Sequence, residues 1–183
     1  MPTPSRGPFL VTIVDMSGFH VSHPNYERLS FLAEESGESL EQFIGTAIGI
    51  GFQLADDALQ AEPEVLQIGF YNSLLKAHQY YHLDFKDNDL PSGTPIIDEL
   101  EEKLLQGVIE DLSKSNRKRV YVPVQKELME ITHAVADALE TSPSKFLATS
   151  FHFRWQWSVT ERAGRPVYVY SPATNEFRAM KLD

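Results

Sequence analysis

Residues 19–52, FHVSHPNYERLSFLAEESGESLEQFIGTAIGIGF, and residues 122–155, VPVQKELMEITHAVADALETSPSKFLATSFHFRW, align without a gap at a constant shift of 103 residues, and this alignment decides the fold. At that shift Glu27 meets Glu130, Ala33 meets Ala136, Ser39 meets Ser142, Phe43 meets Phe146 and Thr46 meets Thr149. Conservative pairs lie between them: Val21 with Val124, Tyr26 with Met129, Leu32 with Val135, Glu34 with Asp137, Ile44 with Leu147, Ile48 with Phe151. Apolar positions recurring at a fixed spacing predict one supersecondary unit built twice. Two such copies in one chain can pair as the halves of a homodimer pair.

Each copy reads as a strand followed by two helices. In the second, Arg119 to Val124 alternates, with Val120, Val122 and Val124 on one face and Arg119, Tyr121 and Pro123 on the other. Lys126–Leu139 has helical period, turning Met129, Val135, Ala136 and Leu139 inward. Ser142 caps the next helix with Pro143 in its first turn, and Phe146, Leu147, Phe151 and Trp155 bury it. In the first copy Phe19–Ser22 alternates like a short strand, and from Asn25 a helical period puts Tyr26, Leu29, Leu32 and Ala33 on one face. Gly37 ends that helix, and Ser39 with Gln42 forms a capping box for the next. Gly45, Gly49 and Gly51 weaken this second helix intrinsically, so close helix contact is expected at them.

Outside the copies, Phe9–Val14 reads as a strand. Glu64–His82 is expected to be a helix carrying Leu66, Phe70, Leu74 and Tyr81, and Pro95–Ser113 another carrying Ile97, Leu100, Leu104, Val108 and Leu112. The polar stretch Asp84–Thr94 joins them. Val167–Tyr170 and Phe177–Met180 flank Ser171–Glu176 as a terminal β-hairpin, which pairs with or covers the Phe9–Val14 strand.

Composition narrows the function. With 42% apolar and 23% charged residues the chain has globular proportions, and its 183 residues suffice for a core. It has no cysteine, which removes disulfides, thiolate catalysis and Cys-based zinc sites. No apolar run reaches membrane-spanning length and no secretory h-region opens the chain, so a cytoplasmic protein without membrane contact is expected. The net charge of −10 repels phosphate except where cations cluster. Lys114, Arg117, Lys118 and Arg119 form such a cluster, leading into the second copy, with Lys126 and Lys145 downstream. The first copy offers only His20, His23 and Arg28.

Strand, helix, capped tight turn and second helix resemble the ribbon-helix-helix family. The residues carrying the likeness are Val120–Val124, Leu128–Leu139 and Ser142–Phe151, with the weaker copy through Phe19, Leu32-Ala33, Gly37, Ser39, Phe43-Ile44 and Ala47-Ile48. The resemblance implies a mainly α chain with short β-strands (α+β), its two units interlocked as an intramolecular pseudo-dimer. The units fall at 9–59 and 116–160, after a flexible N-terminus (1–8). A central helical connector (60–115) separates them, and the C-terminal hairpin (161–183) follows. In that family the paired strands form a ribbon that enters the major groove, and helix N-termini grip flanking phosphates. Carried over, the reading face is Arg119, Tyr121 and Pro123 from one copy and Met16, Gly18 and His20 from the other. Phosphates fall to Lys118, Ser39 with Leu40, Ser142, Ser144 and Lys145. A proline and a glycine stand where base reading needs long donors, so two readings stay open. One is a duplex-DNA-binding transcriptional regulator; the other is an acidic protein-interaction module on the same scaffold. Either can pair again as a homodimer through the central helices.

Other signals are weaker. His78 and His82, one helical turn apart near Asp84 and Asp87, lack a third metal ligand. Phe151, Phe153, Trp155 and Trp157 suit a stacking platform only if they leave the core. No nucleophile elbow, phosphate-cradling loop or distinctive carboxylate pair is present, so neither an enzyme nor a cofactor is expected.

Overall fold

A computed structural model describes residues 11–15, 17–83, 85 and 119–181. Among these the chain is an α+β fold of four helices and seven strands in two antiparallel sheets. In order they are β1 (Val11–Asp15), β2 (Gly18–Ser22), α1 (His23–Glu35), α2 (Leu40–Ala61), β3 (Gln67–Asn72) and β4 (Ala77–His82). After them come β5 (Arg119–Pro123), α3 (Lys126–Ala138), α4 (Pro143–Arg162), β6 (Val167–Ser171) and β7 (Glu176–Met180). The order strand, helix, helix, hairpin therefore occurs at residues 18–82 and again at 119–180.

Local chemistry sets the helix starts. Ser39 Oγ accepts from the Gln42 amide at 3.1 Å while Gln42 Oε1 accepts from the Ser39 amide at 2.9 Å, so two otherwise orphaned donors are satisfied reciprocally. Ser142 Oγ accepts from the Lys145 amide at 3.1 Å, and Pro143 occupies the first turn, where a missing N–H costs nothing. The tight turn after α1 runs through Gly37 at φ 71°, and the matching turn after α3 through Glu140 at φ 57°.

The first sheet has the order β1-β2-β5. β2 and β5 pair antiparallel with Phe19 opposite Val122, the two positions that the 103-residue shift makes equivalent. The second sheet has the order β4-β3-β6-β7, with Gly69 of β3 opposite Tyr168 of β6. Its two hairpins turn alike. Lys76 (φ 52°) and Asn175 (φ 55°) hold the last turn position. At the strand end before each turn, Asn72 Oδ1 accepts from the Leu75 amide and Ser171 Oγ from the Thr174 amide. Both sheets thus join a segment that follows Ser17 with its counterpart a hundred-odd residues later.

Among the described residues, α2 and α4 make the most extensive contact between helices. Phe19 and Phe43 lie 5.7 and 6.5 Å from Phe151, and Phe70 and Phe85 lie 5.8 and 5.9 Å from Phe153. Phe151, Phe153 and Trp157 are fully buried on α4, so these rings are core and not a stacking platform; Trp155 is half-buried under the Arg162 guanidinium.

Four expectations are corrected. Glu64–His82 is not a helix: β3 and β4 pair from Gln67↔His82 to Asn72↔Ala77. Leu66, Phe70 and Leu74 are spaced by four, which satisfies strand alternation as well as helical period, and Leu74 is 83% exposed at the turn. The expected connector at 60–115 therefore begins with a hairpin; Pro95–Ser113, and the dimer contact expected of it, lie outside the described residues. The terminal hairpin pairs with β3, while β1 pairs with β2. Of the three helix glycines only Gly51 meets its neighbour closely; a Cβ on Gly45 would have ordinary contact and on Gly49 none within 4 Å.

His152, half-buried on α4, has its pKa pushed down to about 4 by burial and by the Arg28 charge. Its neutral form belongs to the folded state, whereas an unfolded histidine protonates near 6.5. Stability is therefore full above that value and falls as pH drops toward 4. We expect a loss of about 1–2 kcal/mol between pH 7 and pH 5 after solvent screening, absent in His152→Gln. Urea midpoints of both proteins at the two pH values check this; equal losses would contradict it.

Candidate nucleic-acid interface

Phe19 and Val21 of β2 and Val122 of β5 turn into the core, so Gly18 and His20 share the opposite face with Arg119, Tyr121 and Pro123. The strand register brings these predicted positions together: Gly18 faces Pro123, His20 faces Tyr121, and Ser22 faces Arg119. Tyr121 lies across the sheet. A Cβ on Gly18 would sit 2.8 Å from its ring and 2.2 Å from the Val122 carbonyl, so no larger residue fits there. The Tyr121 hydroxyl is hydrogen-bonded to Ser17 Oγ, and the His20 ring stands edge-on at 5.2 Å. Tyr121 remains 38% exposed, Arg119 and Pro123 are exposed, and His20 is half-buried.

The predicted phosphate anchors are unequal. Ser39 and Ser142 are both exposed helix caps. At the shift of 103, Glu41 and Gln42 of α2 correspond to Ser144 and Lys145 of α4. The α2 start therefore puts a carboxylate where free amides would meet an anion, with Glu38 just before it; the α4 start carries a hydroxyl and an ammonium. The α2 start abuts the corner after β5 across a cleft of about 210 Å³ lined by Glu41, Gln42, Pro123, Val124, Gln125 and Leu128. There Gln125 Nε2 donates to Glu41 Oε1 at 3.4 Å.

Two predicted contributors, Lys118 and Met16, lie outside the described residues. His78 and His82 stand on strand β4, four residues and so about 13 Å apart, not on one helical turn. Among the described residues no trio of His, Asp and Glu converges as a metal cluster. None of their helices is long and apolar enough to cross a membrane.

Sequence reasoning missed two features. One is the pair Arg154–Glu38, 2.9 Å apart, with Arg154 only 5% exposed; an arginine inside an otherwise apolar helix face was the available signal. The other is the outward face of the second sheet, to which each of the four strands contributes at least one ring. Protein-family models, curated proteins and solved structures give no match to this chain.

Proposed function

We propose that this chain is a ribbon-helix-helix-like pseudo-dimer that binds duplex DNA asymmetrically, through the β5 half of its ribbon. The observation that carries this reading is the β2–β5 register. Phe19 opposes Val122, so the strand pair is centred where a two-fold pair would be, and Arg119 and Tyr121 lie on the face away from the core. Arg119 and Tyr121 address the groove; Lys118, Ser142, Ser144 and Lys145 hold phosphates, the α4 dipole adding to them. His20 and Ser39 make a minor contribution, since Glu38 and Glu41 repel phosphate on their side. A strand pair suits the major groove because its width admits a two-stranded ribbon.

The test is fluorescence anisotropy with random-sequence duplex DNA at low and physiological salt. Neutralisation of phosphates by Lys118 and Lys145 predicts about a 12-fold loss of affinity between 50 and 200 mM salt. Arg119→Ala/Tyr121→Ala is expected to weaken binding at least tenfold. Salt-insensitive binding, or none at 20 mM salt, would overturn the reading.

A second reading has its own support. β1 lies along β2 and widens the ribbon to three strands, and the overall charge is −10. Both features fit a protein-interaction module on the same scaffold. Absence of duplex binding with the fold intact is the outcome this reading expects.

A further inference from the structure

The second sheet has one face on the core and one outside. Ile68 and Phe70 of β3, Tyr81 of β4, Val167 and Val169 of β6 and Met180 of β7 are buried. The strand registers therefore place Tyr71, His78, Tyr80, Tyr168, Tyr170 and Phe177 together on the opposite face. These six rings form one connected layer. Tyr71 and His78 are 5.6 Å apart, His78 and Tyr168 5.0 Å, Tyr168 and Phe177 6.3 Å. Tyr170 stacks on Phe177 at 4.4 Å, and Tyr80 stands 6.1 and 5.8 Å from them. Gly69 makes room for the layer: a Cβ there would lie 2.5 Å from the Tyr80 ring. Phe177 is 56% exposed and the other five rings are half-buried, so an aromatic surface faces outward.

Charge gives this face a partner. Residues 64–83 and 162–181 contain Lys76, Arg162, Arg165, Arg178 and Lys181 against two carboxylates, Glu64 and Glu176, in a chain of net charge −10, and Glu64 accepts from Ser171 Oγ and the Ala173 amide in the β6–β7 turn. Arg162 and Arg178 are paired with Glu35 and Asp57. Arg165 lies over the Tyr71 ring at 5.1 Å, on the aromatic face itself. Lys76 sits in the β3–β4 turn and Lys181 directly follows β7. Flat rings with a cationic surround suit unpaired bases on a phosphate backbone, because stacking tolerates any base and the cations follow the strand.

We infer that the outward face of the β4-β3-β6-β7 sheet is a stacking platform for single-stranded nucleic acid. Three inter-strand spacings and five residues of strand give a face of about 14 by 17 Å, room for a few nucleotides. Polar atoms lie beside the rings. Tyr170 donates its hydroxyl to Asn175 Oδ1 at 2.8 Å, and His78 Nε2 donates to the Pro166 carbonyl at 2.8 Å. The site is separate from the duplex-binding face proposed above and does not depend on it.

The experiment is anisotropy titration of the full chain with fluorescein-labelled dT20, a mixed-sequence 20-mer and the matching RNA. Binding of both DNA strands is expected, with log K falling by about 0.7 per phosphate contact per decade of salt. Tyr170→Ala/Phe177→Ala should lose at least tenfold, given the usual cost of removing stacked rings. Arg119→Ala/Tyr121→Ala should lose less than twofold. Since the ring variant removes packing as well, Arg165→Gln/Lys181→Gln provides a milder check, expected to flatten the salt slope by about 1.4. No binding at 20 mM salt would overturn the assignment, as would an unchanged salt slope in the charge variant. Loss confined to the Arg119/Tyr121 variant would do so as well. Failure of duplex binding with dT20 binding intact would remove only the ribbon reading.

Discussion

Arg154→Met is expected to lower the unfolding free energy by about 3 kcal/mol, because it breaks a mostly buried ion pair on one side only. Arg154 reaches from α4 past the Phe43 ring, 5.7 Å from its guanidinium, to Glu38 in the α1–α2 corner. It also donates to Ser158 Oγ at 2.7 Å, and Ser158 donates to Ser36 Oγ at 3.0 Å, while Thr46 donates to Glu38 at 3.2 Å. Methionine fills the aliphatic volume but leaves the Glu38 carboxylate, 20% exposed, without its cation. The penalty is that uncompensated charge, so Arg154→Met/Glu38→Gln should recover about half of it. Urea titrations of the two single variants and the double one measure the coupling. A single-variant cost below about 1 kcal/mol, or no recovery in the double, would show that the ion pair does not hold the corner.

Gly51→Val should cost about 3 kcal/mol, or roughly 8 °C in melting temperature for a chain of this size. A Cβ at Gly51 would lie 2.0 Å from Ser150 Oγ, 3.0 Å from Ser150 Cβ and 2.9 Å from the Phe146 ring, where α2 and α4 nearly touch. Ser150 cannot swing away freely, since its hydroxyl donates to the Phe146 carbonyl at 2.7 Å. Gly49, two residues earlier and facing open space, is the control: Gly49→Ala should stabilise by about 1 kcal/mol through helix propensity alone. If Gly51→Ala also stabilises, the helices are not in the contact described; if Gly51→Ala/Ser150→Ala is better tolerated than Gly51→Ala, the clash is located.

These two residues occupy equivalent positions. Gly51 corresponds to Arg154 at the 103-residue shift, and Phe146, which crowds Gly51, corresponds to Phe43 under Arg154. One contact is made twice, with a glycine on one side and an arginine on the other. The charge difference between the α2 and α4 starts follows the same pattern, with Glu41 and Gln42 on one and Ser144 and Lys145 on the other.

By itself the sequence determined the local structure that depends on near neighbours. The capping box at Ser39 and Gln42, the Ser142-Pro143 start, the Gly37 stop and the alternation Arg119–Val124 all act within a few residues. The shift of 103 residues makes Phe19 and Val122 equivalent, and their pairing across β2 and β5 is a fact of the tertiary structure. Tertiary structure decided the rest, wherever one spacing served two periods or a partner lay far along the chain. Leu66, Phe70 and Leu74 suit helix and strand alike, and it is pairing of β3 with β4 and β6 that selects the strand. The placement of β1 on β2, the crowding at Gly51 but not Gly49, and the gathering of six rings around Gly69 depend on contacts between distant segments. Local propensity carries no record of such contacts, because their energy arises only when the segments are packed together.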